Sequence, residues 1–205
     1  MFFLRHNGTM TNPTFNPKST ALLVMDYQPS ILGSLKEPDH LLARVGECIS
    51  AVRAAGGTVA YVRVGFTDAD YAAFPSYSAM GARAKAAGEN MRADSPKTAV
   101  HASIAPQPGD IVVRKNRVGA FSTTDLHRQL KGLGVDTVVL AGIHTSGVTL
   151  TTVREAHDLD YRVFVLADAC GDPDPDVHEF LTQKIFPKQA TVISVAQFGQ
   201  QLQGV

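Results

Sequence analysis

Three consecutive stretches decide the fold: TALLVMDY (20–27), HLLARVGECISAVRAAGG (40–57) and TVAYVRVGF (58–66). The first and third are short, branched apolar runs of the kind that fill buried strands. The middle one repeats its apolar residues at helical spacing and stops at paired glycines. Together they read as one βαβ unit. The rhythm returns downstream with DIVVRK (110–115), the helical TDLHRQLKGLG (124–134), DTVVLAG (136–142), a helix from about 147 to 159, RVFVLAD (162–168), the helical PDVHEFLTQKIF (175–186) and TVISV (191–195). Near-continuous apolar strands alternating with helices predict a six-stranded parallel sheet covered by helices on both faces, a single-domain Rossmann-like three-layer α/β sandwich.

In such sheets ligands bind outside the carboxyl ends of the strands. That rule points to Asp26, Lys115 and the turn GIHTSG (142–147), each of which ends a strand. Asp26 follows Leu22, Leu23, Val24 and Met25, so its carboxylate stands at an apolar rim, where burial raises a carboxyl pKa and a nearby cation lowers it. Alone, Asp26 reads equally as a cap on the following turn, and Lys115 as a solvated edge residue. Together at one sheet edge, expected on adjacent central strands, they form a plausible acid-base pair in which lysine neutralises charge on a substrate. His144 sits in the turn itself, either to fix it by a hydrogen bond or to contact substrate.

Other chemistries find less support. GIHTSG is not the G-x-G-x-x-G of a dinucleotide site, there is no Walker motif, and Ser146 lacks the G-x-S-x-G setting of a serine nucleophile. The seven histidines form no H-x-x-x-H or Cys/His cluster, so no metal and no cofactor is expected. The 205-residue chain balances 19 lysines and arginines against 19 aspartates and glutamates, which removes the basic footprint of a nucleic-acid binder. No apolar run approaches the roughly 20 residues of a membrane span. The expected partner is a small molecule and the expected location cytoplasmic. The two cysteines, Cys48 and Cys170, form no disulfide framework. Residues 1–18 read as a flexible N-terminal arm before a domain at 19–205. The stretch 67–109 reads as irregular with one short helix, either a substrate or subunit-contact segment or plain decoration.

Read in order, ALLVMDYQPSIL (21–32), VVRKNRVGAFSTTDLHRQL (112–130), GIHTSGVTLTTVREA (142–156) and YRVFVLADAC (161–170) resemble the isochorismatase-like superfamily, the cysteine hydrolases, over about residues 19–203. The resemblance implies that Asp26 and Lys115 are catalytic, that the Ile143–His144 peptide is cis, and that Gln28, Arg117, Phe121, His144, Ser146, Gly147 and Val148 bind substrate. It also implies a homo-oligomer, a dimer or tetramer. Amidase members read G-x-x-T-x-x-C-V at the turn. Here the cysteine position falls on Val148, and Cys170 belongs to a D-A-C stretch where it reads as packing. An isopropyl group cannot replace a thiolate nucleophile.

One branch of that superfamily works without the cysteine and hydrolyses a vinyl ether, releasing pyruvate. Its lysine strand, K-W-R-Y-S-A-F, is similar to KNRVGAF (115–121), which keeps Lys115, Arg117, Ala120 and Phe121 but has Asn116 for the tryptophan. Such a reaction needs a proton for the enol carbon and a water, and Asp26 is the expected acid. The alternatives are a binding scaffold without turnover and a water-mediated hydrolase of a small amide or ester.

Overall fold

The computed structural model describes residues 15–203. Strands β1 (Thr20–Met25), β2 (Thr58–Val64), β3 (Ile111–Lys115), β4 (Thr137–Gly142), β5 (Arg162–Leu166) and β6 (Thr191–Ile193) form one sheet in the order β3-β2-β1-β4-β5-β6, every pair parallel. The helices are α1 (Pro29–Leu32), α2 (Pro38–Ala54), α3 (Asp68–Ala72), α4 (Ala79–Ala87), α5 (Leu126–Gly132), α6 (Leu150–Asp158), α7 (Pro175–Phe180) and α8 (Val195–Gln203). The expected α/β architecture is the observed one.

Period-two alternation along β1 divides the core. Leu22 and Val24 pack with Val45, Ile49 and Val52 of α2 and Phe198 of α8. Ala21, Leu23 and Met25 pack on the opposite face with Leu126 and Leu130 of α5 and Val153 of α6. Each such side chain contributes about 1.5–3 kcal/mol by leaving water, which is what fixes the helices to the sheet. Helix α2 has Pro38 in its first turn and ends before Gly56, whose φ of 73° is the left-handed geometry that stops a helix.

Of the expected N-terminal arm, residues 1–14 lie outside the described residues. Phe15 does not belong to a loose arm: it is buried, with its ring 4.6 Å from that of Phe164 and 4.7 Å from that of Phe198. The long connection is also more regular than expected. It folds into α3, α4 and the short 3-10 turns Gly88–Met91, Pro96–Thr98 and Ala102–Ile104. Helix α3 starts at a reciprocal cap between Thr67 and Asp70, and α4 at Ser78, whose side chain accepts the Gly81 N–H. Phe74 and Ala84 pack with Val64 and Phe66 in a small third cluster over the end of β2.

The strand order reverses between β1 and β4, which opens a crevice at their carboxyl ends. The expectation of adjacent strands under Asp26 and Lys115 needs correcting. Strand β2 lies between β1 and β3, and β3 is an edge. Two strand spacings, roughly 9.6 Å, separate the backbones, and the long lysine side chain spans the gap.

Candidate active site

Asp26 follows Met25, which is level with Val62 on β2 and Gly142 on β4. Its backbone is left-handed, φ 60°, a conformation that Asp and Asn tolerate better than most residues. The Asp26 N–H donates to Val62 O at 2.8 Å and its carbonyl accepts the Gln28 N–H at 2.8 Å. The side chain is therefore delivered to the crevice by a fixed turn. Its Oδ2 lies 2.8 Å from Lys115 Nζ. Its Oδ1 is buried with no hydrogen-bond partner.

Lys115, 2% exposed, also donates to Val118 O at 2.7 Å and Arg117 O at 3.3 Å. Those carbonyls belong to a loop held from α6. Glu155 accepts the N–H groups of Phe121 and Ser122, and Thr152 Oγ1 accepts that of Ala120. A Cβ at Gly119 would stand 2.3 Å from the Glu155 carboxylate and push it off these N–H groups. Asp70 binds both neighbours of Lys115, taking hydrogen bonds from Arg114 and Asn116.

Burial raises the pKa of Asp26, and the attraction of Lys115, which opposes it, is the smaller effect. Desolvation is thus the larger of the two opposing effects on the Asp26 carboxyl.

The turn after β4 has its Ile143–His144 peptide cis. Thr145 N–H donates to Gly171 O, Ser146 N–H to Asp172 Oδ2, and Thr145 Oγ1 lies 2.8 Å from His178 Nδ1. His144 Nε2 is 2.7 Å from Ser34 Oγ, and burial lowers the imidazole pKa against the pull of Asp172 and Asp26.

A cavity of about 360 Å³ joins these parts. Asp26, Lys115, Ile143, His144, Gly147 and Val148 line it, with Met80, Arg83, Ala84, Ala87 and Met91 from the long connection. Val148, at the same turn, is 2% exposed. Arg83 is the rim cation, and among the described residues it forms no salt bridge. No group of three or more His, Cys, Asp or Glu among the described residues could hold a metal ion, and no described helix is long and apolar enough to cross a membrane.

Several expected substrate contacts do not line this cavity. Gln28 is fully buried, with its amide spent on Val64 N–H, Val64 O and Thr98 O, each at 2.7 Å; it stitches β2 to the long connection. Arg117 donates to Asn116 O and lies over the Phe74 ring at 4.6 Å. Phe121 stacks on Tyr161 at 5.7 Å. Ser146 is tied by its N–H to Asp172. Gly147 does line the cavity, but its N–H is turned back to His144 O at 3.1 Å. Cys170 lies outside the cavity, its thiol pushed up to about 11 by burial.

The sequence reading missed Arg83 and Met80. Their only signal is the spacing AMGAR (79–83), which puts both on a helix too alanine-rich to announce an inner face.

A model described as the isochorismatase domain matches residues 20–197. An uncharacterized isochorismatase family protein of Escherichia coli O157:H7, YecD, is 35% identical over 186 residues, covering 89% of this chain and 95% of its own. The ureidoacrylate amidohydrolase RutB of Rhizobium rhizogenes is 29% identical over 206 residues, covering 90% of this chain and 80% of its own. The solved structure of an isochorismatase family protein from Burkholderia thailandensis superposes with a TM-score of 0.81 at 29% identity, over 94% of this chain and 100% of that one.

Proposed function

The chain belongs to the isochorismatase family, and from that premise we propose that it hydrolyses a small carboxylate-bearing metabolite without a cysteine nucleophile, with Asp26 as the general acid. The reaction this arrangement favours is cleavage of a vinyl ether. Asp26 gives its proton to the enol carbon, and the oxocarbenium ion that results is captured by water. Lys115 holds the other carboxylate oxygen and balances the negative charge left on Asp26. The rim guanidinium of Arg83 receives the substrate carboxylate.

The observation that carries this reading is Asp26 Oδ1: a buried oxygen with no hydrogen-bond partner among the described residues, on a carboxyl whose pKa burial raises. Val148 supports the same reading, since a site with no thiol at the turn must use water.

The amidohydrolase named among the relatives favours a second reading, water-mediated cleavage of a small amide. One assay separates the two. Pyruvate release from isochorismate, with no turnover of ureidoacrylate, is the expected result. Turnover of ureidoacrylate alone moves the chemistry to the amide, and silence on both substrates together with a wider panel of small esters and amides overturns the enzymatic reading.

A further inference from the structure

His144 lines the same cavity as Asp26 and makes its hydrogen bond through Nε2, to Ser34 Oγ at 2.7 Å. Ser34 has one hydroxyl proton, and the hydroxyl donates it to the Ile31 carbonyl at 2.7 Å. A carbonyl oxygen has no proton to return, so only lone pairs of Ser34 Oγ remain for the imidazole. Nε2 must therefore be the protonated nitrogen. In the neutral ring Nδ1 is then a bare acceptor, and among the described residues no donor occupies it. Burial keeps the ring neutral. The other histidine of this region, His178, uses its Nδ1 on Thr145 Oγ1 and is not available.

We propose that His144 is a second catalytic residue, whose Nδ1 takes the proton of the attacking water. The inference rests on the hydrolase reading above. An enol ether gains a C–H bond when Asp26 delivers its proton, and becomes an oxocarbenium ion. Water forms the new C–O bond while one of its protons passes to His144 Nδ1. The hemiketal breaks its old C–O bond, and the hydroxyl proton moves to the departing alcohol oxygen. The proton on His144 returns through solvent to the Asp26 carboxylate. One water is consumed, and both side chains end as they began. The charged groups that bear on His144 are Asp26 and Lys115 in the cavity, Arg83 at its rim and Asp172 beside the turn.

The test uses the whole chain with ¹⁵N-labelled histidine. At neutral pH the nitrogen spectrum is expected to report His144 as Nε2-protonated, and Ser34→Ala is expected to mix the two tautomers. A ring protonated at Nδ1, or one that ignores Ser34→Ala, overturns the proposal. With isochorismate as substrate, His144→Ala should lower kcat by about 10²- to 10⁴-fold with KM little changed, and His144→Gln, which keeps a donor for Ser34, should fall equally. Free imidazole should restore rate to His144→Ala and not to Asp26→Asn. A wild-type kcat in either His144 variant, or loss of kcat with no imidazole rescue, sinks the base assignment. If the wild type releases no pyruvate, the hydrolase reading has failed, and the nitrogen spectra, which need no substrate, still decide the tautomer on which the base depends.

Discussion

Asp26 and Asp70 are both shielded from water, their side chains 7% and 11% exposed, and both meet a cation, yet their protonation is driven in opposite directions. Burial raises Asp26, and one lysine does not reverse it. Burial works against Asp70 as well, but hydrogen bonds from the Thr67 N–H, Asn116, the Thr67 hydroxyl and Arg114 hold its carboxyl well below the usual carboxylate range. Two things differ: Asp26 is buried more deeply, and Asp70 has more donors to its carboxylate. A carboxylate saturated with donors is a tie, fastening the long connection to β3 on both sides of Lys115. The carboxyl with one oxygen unpartnered among the described residues, Asp26, is the one proposed to react.

The largest expected effect comes from breaking the reactive member. Asp26→Asn retains the left-handed turn, so turnover of the substrate found by the assay should fall about 10²- to 10⁴-fold while the melting temperature hardly moves. Its companion, Lys115→Ala, should slow turnover too, but with activity persisting to higher pH, because Asp26 keeps its proton longer without the cation. Wild-type rates in both variants would reduce the pair to architecture.

Breaking the tie should have a different signature. Asp70→Asn leaves donors of Arg114 and Thr67 unmatched and should cost about 1–3 kcal/mol in chemical denaturation, with a smaller loss of rate than Asp26→Asn. The pH dependence sharpens the contrast. Asp70 has a depressed folded pKa, so its stabilisation is present above the unfolded value of 3.8 and is lost as pH falls through the folded one. Asp26 has a raised folded pKa, so its contribution is full below 3.8 and is lost as pH rises through the folded value. Asp70→Asn should flatten the acid side of the stability curve, and Asp26→Asn the slope above it. Equal slopes in both variants would erase the distinction.

The smallest effect is expected at the cysteines. Cys48→Ala and Cys170→Ala should leave turnover within a few-fold, since both thiols are buried and pushed upward in pKa. A folded but inactive Cys170→Ser would transfer the chemistry to the D-A-C stretch.

The strands were legible because each is a short apolar run closed by a polar residue, and that same break exposed Asp26 and Lys115. Their relative placement was not: sheet order depends on which crossovers go left or right, and nothing local to KNRVGAF announces that β3 is an edge. Gln28 and Phe121 illustrate a second limit. A polar or aromatic side chain just past a strand reads as a substrate contact until its partners are known, and here those partners are Val64, Thr98 and Tyr161, all distant in sequence. Arg83 was hidden because helix α4 carries five alanines and a glycine among its nine residues, leaving no apolar stripe to orient it. The direction of the Asp26 pKa shift was beyond sequence, being a contest between burial and one ion pair.

Lys115 directs its ammonium group at Asp26 Oδ2, Val118 O and Arg117 O, and is nearly sealed from solvent. An amine becomes a nucleophile only with a free lone pair, and every proton of this one is engaged. Amine-directed acylating probes should therefore label exposed lysines such as Lys36 and Lys85 and pass over Lys115, so that a survey of proteins ranked by lysine reactivity would overlook this pocket. A carbodiimide, which reacts with carboxyls in their protonated form, is the reagent class suited to Asp26, whose pKa burial raises.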